Sequence, residues 1–252
     1  MVIKYVSDVG KIREKNEDSY TVIKDDKFIV LAVADGMGGH NAGDRASKIS
    51  VDTIKKTFNK MTDSLYKREI DEIEFLKTIF KECNHKIYTT ATEISEYSGM
   101  GTTLTISVIN KENNKVFIGN IGDSRCYIIN TLEDKIKRIT KDHSLVEEMI
   151  KNNEISKEEA FNHPKKNIIT RALGPDKTVD ADIFFTDIDD KSIILLCTDG
   201  LTNHLKDEEI KNIIIENNEE SVHMLIEEVN IRGGCDNTTI IVFIVDNEVK
   251  YE

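Results

Sequence analysis

Residues 2–8 and 19–35 alternate or run apolar with many β-branched side chains, which predicts three strands. The last of them, Phe28 to Ala34, is apolar enough to be buried on both faces. From Ala42 the period changes: Ala46, Ile49, Ile54 and Phe58 recur at helical spacing, and Leu76, Ile79, Phe80, Cys83 and Ile87 do so again, so two successive helices follow. Strand-like segments return at 102–109, 115–121, 125–130 and 135–139, with Lys111-Glu112-Asn113-Asn114 and the residues around Asp134 as polar turns; links that short imply antiparallel pairing. A polar stretch over 141–171 carries two short helical patterns. Strands at 182–187 and 192–198, helices at about 207–217 and 219–231, and a final strand from Thr238 to Val245 complete the chain. Blocks of strands separated by helix pairs do not match the strict alternation of a doubly wound parallel sheet, so the expected class is an α+β layered sandwich.

Composition narrows this picture. With 252 residues, 39% of them apolar, the chain can bury one sizeable core. Only two prolines and no serine- or glycine-rich tract interrupt it, so a single domain over residues 1–246 with a short tail at 247–252 is expected. The formal net charge of -12 argues against nucleic acid or an anionic membrane as a partner, since both reward a basic face. The first residues, MVIKYVSDVG, lack the apolar run of a signal peptide and no stretch is long enough to span a bilayer, which points to the cytoplasm. Cys83, Cys126, Cys197 and Cys235 are widely spaced with no C-x-x-C pair, and read as reduced, mostly buried thiols.

The candidate chemistry is a recurrence of aspartates at strand ends. Asp35 follows Phe28 to Ala34, Asp123 follows Val116 to Gly122, Asp199 follows Ile193 to Thr198, and Asp236 precedes the final strand. One Asp-Gly after a strand is ordinarily a turn. Four of them, if the fold brings them to one edge, would repel unless hard cations neutralised them, and all-oxygen ligation suits Mg²⁺ or Mn²⁺. No zinc-spaced histidine or cysteine pair and no twelve-residue calcium loop is present. Around Asp35 the glycines of Asp35-Gly36-Met37-Gly38-Gly39-His40 let backbone carbonyls approach a cation, and Arg13-Glu14-Lys15-Asn16-Glu17-Asp18 offers a guanidinium fork for phosphate with acids just beyond it.

Taken in order, Arg13 to Asp18, Asp35 to His40, Gly101-Thr102-Thr103, Gly122-Asp123-Ser124-Arg125, Asp142-His143-Ser144, Ile169 to Gly174, Asp199-Gly200 and Asp236-Asn237-Thr238-Thr239 resemble the motifs of the PP2C-type (PPM) metal-dependent serine/threonine protein phosphatases, in their short bacterial form. The resemblance spans nearly the whole chain. It implies a four-layer αββα sandwich, two central antiparallel sheets flanked by helix pairs. It further implies that Asp35 bridges two metal ions, that Gly36 gives its carbonyl to one, that Asp199 and Asp236 bind the other, that Asp18 acts through water, and that Asp123 with Asp199 holds a third, weaker ion. Arg13 would bind the substrate phosphate. The reaction implied is hydrolysis of phosphoserine or phosphothreonine in proteins by a metal-held hydroxide, without a phosphoenzyme, in a monomer opposing a serine/threonine kinase.

The leaving alkoxide needs a proton, for which His40 and a metal-bound water are the candidates. Eukaryotic members place a histidine directly after the Asp-Gly, where this chain has Met37. Asp142-His143 and the Thr102-Thr103 and Thr238-Thr239 pairs are read as structural. The polar segment at about 144–168 is expected to form a flap beside the site. No Walker loop, G-x-S-x-G elbow or cysteine-phosphatase loop competes with this reading. Two alternatives share the fold: a phosphoprotein-binding module without turnover, from which at least one costly acid should be missing, and a hydrolase of small phosphate esters.

Overall fold

In the computed structural model, which describes residues 1–38 and 42–245, the strands and helices fall where the apolar periods predict them. The elements are β1 (Val2–Asp8), β2 (Asp18–Lys24), β3 (Phe28–Met37), α1 (Ala42–Tyr66), α2 (Glu72–Glu93), β4 (Gly101–Thr102), β5 (Leu104–Asn110), β6 (Lys115–Ile121), β7 (Arg125–Asn130), β8 (Lys135–Arg138), α3 (Leu145–Lys151), α4 (Lys157–Phe161), β9 (Asp182–Asp187), β10 (Ser192–Cys197), α5 (Asp199–Thr202), α6 (Asp207–Asn217), α7 (Ser221–Ile231) and β11 (Thr238–Ile244). Two antiparallel sheets result, one ordered β1-β11-β10-β7-β8 and the other β2-β3-β5-β6-β9 with β4 added to β3.

Three apolar layers hold the sheets and helices together. Period-2 alternation in β3 sends Ile29, Leu31 and Val33 toward the opposite sheet and Val30, Ala32 and Ala34 toward α1 and α2, so both faces are dry. Likewise Leu196, Ile241 and Phe243 fill the space between the sheets, while Leu195, Cys197 and Val242 face α6 and α7. Each fully buried Leu, Ile or Phe contributes about 1.5–3 kcal/mol, which makes the central layers the rigid frame for whatever their ends carry. The result is the expected α+β arrangement of helices outside two stacked antiparallel sheets.

Local signals explain the boundaries. Asp71 caps α2 by accepting from the Glu74 amide at 2.8 Å, and Ser156 with Glu159 forms a reciprocal capping box on α4. Three departures from expectation matter for the site. First, β3 runs on to Met37, so Asp35 and Gly36 lie inside the strand: β4 pairs with its end, Gly36 opposite Thr102. Second, Asp199 opens the one-turn α5 and does not sit in a plain turn. Third, the stretch over 144–168, where two short helical patterns were expected, carries α3 and α4 and is tied to β8 by the Arg138–Glu147 pair at 3.0 Å, an anchor that the sequence did not show. His40 and the tail at 247–252 lie outside the described residues. Among those described, no helix is long and apolar enough to cross a membrane.

Candidate metal centre

The ends of β2, β3, β10 and β11 and the turn between β6 and β7 bring five distant acids, Asp18, Asp35, Asp199, Asp236 and Asp123, into one basin. In the antiparallel pairing of β2 with β3, Asp18 stands directly opposite Asp35, a like-charge pair that a strand ladder disfavours. The backbone of Asp35 is held from both sides: its amide donates to Thr103 Oγ1 and its carbonyl accepts from Thr102 Oγ1, each at 2.9 Å. Beyond it Gly36 is pressed against backbone, and a Cβ there would lie 2.1 Å from the Gly43 carbonyl oxygen at the start of α1. Gly200 is equally confined, its Cβ position being 2.0 Å from the Asn237 carbonyl. Both glycines are required by close approach.

Each acid has a different hold. Thr198 donates to Asp18 Oδ2 at 2.8 Å, and Asn203, four residues along from Asp199, donates its side-chain amide to Asp199 Oδ2 at 2.9 Å. Asp123 is carried on the turn after Gly122, whose φ of 101° is glycine territory. Asp236 is ion-paired with Arg13 at 2.9 Å. The loop bearing Arg13 is pinned by Asn237, whose side chain donates to the Val9 and Lys15 carbonyls and accepts from the Glu17 amide. That leaves the guanidinium of Arg13 half exposed at the rim.

The electrostatics are those of an uncompensated acidic basin. Burial, joined by repulsion from Asp199 and Asp236 and opposed by hydrogen bonds from Thr239 and Thr198, pushes Asp18 up to about 7. Burial first, and then Asp18, Asp199, Asp123 and Asp236, raise Asp35 well above the usual carboxylate range. Asp123 and Asp199 are raised by the same combination, burial ahead of the neighbouring carboxylates. Asp18 Oδ1, Asp123 Oδ1 and Asp199 Oδ1 are buried without any hydrogen-bond partner. Among the described residues no group of three or more His, Cys, Asp or Glu side chains is set closely enough to hold a metal ion by itself. The acids are nonetheless close enough to repel one another, and three of their oxygens have no partner. Such a basin fits hard divalent cations completed by water: the donors are all oxygen, and buried carboxylates need neutralising.

Other residues singled out in the sequence are structural. His143 accepts from the Gly122 amide through Nδ1 and faces Asp182 through Nε2, and Asp142 receives the guanidinium of Arg125 at 2.6 Å. Cys83, Cys126 and Cys197 are buried and Cys235 is exposed; burial lifts the Cys83 thiol to about 12, which removes it as a nucleophile. Thr198 and Asn203 hold acids but were not singled out in the sequence, Thr198 because its partner is fixed by the tertiary fold; only the Asp199–Asn203 spacing of one helical turn carried a local signal. From Asp123 and Asp199 a cavity of about 860 Å³ opens beneath α3 and α4, walled by Arg125, Arg138, Phe161 and Lys206.

With that geometry in hand, comparison with known proteins is informative. A family model for protein phosphatase 2C matches residues 13–228. The serine/threonine phosphatase stp of Listeria innocua is 38% identical over 244 residues, covering 96% of this chain and 94% of its own. Among solved structures, the serine/threonine phosphatase Stp1 of Staphylococcus aureus superposes with a TM-score of 0.88 at 35% identity, covering 97% of this chain and 95% of that one. The catalytic domain of the serine threonine protein phosphatase PstP, solved with two manganese ions, gives 0.81 at 31% identity and covers 96% of each chain.

Proposed function

This chain belongs to the protein phosphatase 2C family, and on that footing we propose that it hydrolyses phosphoserine and phosphothreonine in other proteins with two Mn²⁺ or Mg²⁺ ions. In this reading Asp35 serves both ions, the Gly36 carbonyl one of them, Asp199 and Asp236 the other, and Asp18 acts through water. Asp123 with Asp199 would take a third, weaker ion. The observation that carries the reading is the set of three buried, unpartnered carboxylate oxygens of Asp18, Asp123 and Asp199 in one basin. Bound there, the cations would supply Lewis acidity and a water acidic enough to attack phosphorus at neutral pH.

The chain's own residues do the rest. Arg13 uses one guanidinium nitrogen on Asp236 and keeps further donors at the rim, where they meet the equatorial oxygens of an incoming phosphate. Asp236 thereby orients Arg13, and Asn237 fixes the loop that carries both partners' backbone. Thr198 and Asn203 each occupy one oxygen of an acid and leave the other turned to the basin, which fixes the direction in which charge is presented. Burial raises the thiols of Cys83, Cys126 and Cys197, which removes these three as ready nucleophiles. The phosphoproteins acted on are products of a serine/threonine kinase, and the protein works as a monomer.

Release of phosphate from a phosphothreonine peptide, with and without Mn²⁺, tests this. Wild type should turn over only with the metal, and Asp35→Asn and Asp236→Asn should each lose at least about a hundredfold. Undiminished hydrolysis by either variant, or in chelator, would sink the proposal. Turnover confined to a small aryl phosphate would favour the ester hydrolase, and peptide binding without turnover the silent module.

A further inference from the structure

Away from the basin, the outer surfaces of α1 and α2 enclose a groove of about 330 Å³ lined by Arg45, Asp52, Thr53, Lys56, His85 and Lys86. Three permanent cations face one carboxylate there, in a chain whose net charge is -12. On the same helices Lys48 pairs with Asp44 at 2.7 Å and Lys60 reaches Glu82 at 3.8 Å. Among the described residues, Arg45, Lys56 and Lys86 have no acidic partner. Lys86 is instead steadied by a neutral group, donating to Thr53 Oγ1 at 3.3 Å, and Thr53 is itself 1% exposed, so the ammonium is held over the groove with donors to spare. A half-buried lysine held by a hydroxyl, in a groove where cations outnumber the one carboxylate, can take an oxyanion.

Its position gives it a use. α1 begins against the acidic basin, where Gly43 packs on Gly36, and Arg45 lies two residues further on. From Arg45 to Lys56 the groove follows α1 for eleven residues, about 16 Å at 1.5 Å per residue. An extended peptide covers that distance in about five residues. A dianionic substrate approaching this protein meets the field of an acidic chain, and a cationic strip leading away from the basin offsets that field where the peptide lies.

We propose that the α1–α2 groove is a docking site for a second phosphoryl group on the substrate polypeptide, about five or more residues from the one hydrolysed. This rests on the phosphatase reading for its role in turnover, though not for the binding itself. The protein therefore prefers multiply phosphorylated segments, and the preference lives in KM and leaves kcat unchanged.

The test uses two peptides of one sequence, one carrying a single phosphothreonine and one carrying a second phosphoserine seven residues away, with wild type and the variant Lys56→Gln/Lys86→Gln. With Mn²⁺, wild type should show a KM about tenfold lower for the doubly phosphorylated peptide, from three cations of modest individual effect. The variant should lose that ratio while hydrolysing a small aryl phosphate as wild type does. In chelator, fluorescence anisotropy with the doubly phosphorylated peptide should show binding that the variant and raised salt weaken. An unchanged KM ratio in the variant, or peptide binding in chelator that neither the variant nor raised salt weakens, overturns the groove. Binding in chelator without turnover in Mn²⁺ would uphold the groove and remove the phosphatase reading.

Discussion

Replacing Asp18 by Asn in the metal-free protein isolates the cost of the acidic basin. The Asp18 carboxyl, ordinarily near 3.8, is pushed up to about 7 by burial, with Asp199 and Asp236 adding to it. The folded protein thus keeps a proton that the unfolded chain has already released, so stability falls as pH rises between about 4 and about 7. At about 1.4 kcal/mol per pH unit, the ionised carboxylate costs the fold on the order of 4 kcal/mol above that window. Asn keeps the acceptor for Thr198 but turns amide donors toward the place of the unpartnered Oδ1, which costs about 1–3 kcal/mol at any pH. The two stability curves therefore cross. In chelator, Asp18→Asn should be less stable than wild type at pH 4.5 and more stable at pH 8, with a swing on the order of 4 kcal/mol between them. Urea denaturation at both pH values measures it, and taking the difference between variant and wild type cancels the global charge of the chain. With saturating Mn²⁺ at pH 8 the order should reverse, because wild type alone gains the full stabilisation of bound metal. A swing below about 1 kcal/mol, or one of opposite sign, would refute the claim that buried, mutually repelling carboxylates dominate this site.

Three further outcomes follow from the same geometry. Gly36→Ala must move either β3 or the start of α1, since its Cβ would sit 2.1 Å from a backbone oxygen; a loss of at least about 2 kcal/mol in urea unfolding is expected, and an unchanged midpoint would contradict the packing. Asn203→Ala should weaken Mn²⁺ affinity about tenfold by calorimetry, with kcat recovered at saturating metal, because Asn203 orients Asp199 and touches no substrate. Deleting 150–162, which takes away α4 and with it Phe161 from the cavity wall, should alter phosphopeptide turnover more than aryl phosphate turnover; equal effects would remove the flap's role in substrate entry.

Period and turn chemistry were enough to recover most of the fold. Strands such as Phe28–Met37 and Ser192–Cys197 are runs that only a position between two apolar layers can satisfy, and α1 and α2 declare themselves by their 3.6-residue stripes. The ordered motifs also pointed to the acids, since Asp35, Asp123, Asp199 and Asp236 each adjoin a glycine or turn former that the chain would not otherwise need. Where those acids stand relative to one another was decided by the sheets. Asp18 faces Asp35 because of β2–β3 register, Thr198 reaches Asp18 across 180 residues of chain, and Arg13 meets Asp236 across 223. Local sequence cannot encode such pairs, because they depend on which strands become neighbours and on a register in which a slip of one residue turns every side chain to the other face. The same holds for the cationic groove: Lys56 and Lys86 read singly as solvated lysines, and only the packing of α1 on α2 gathers them with Arg45 around one groove.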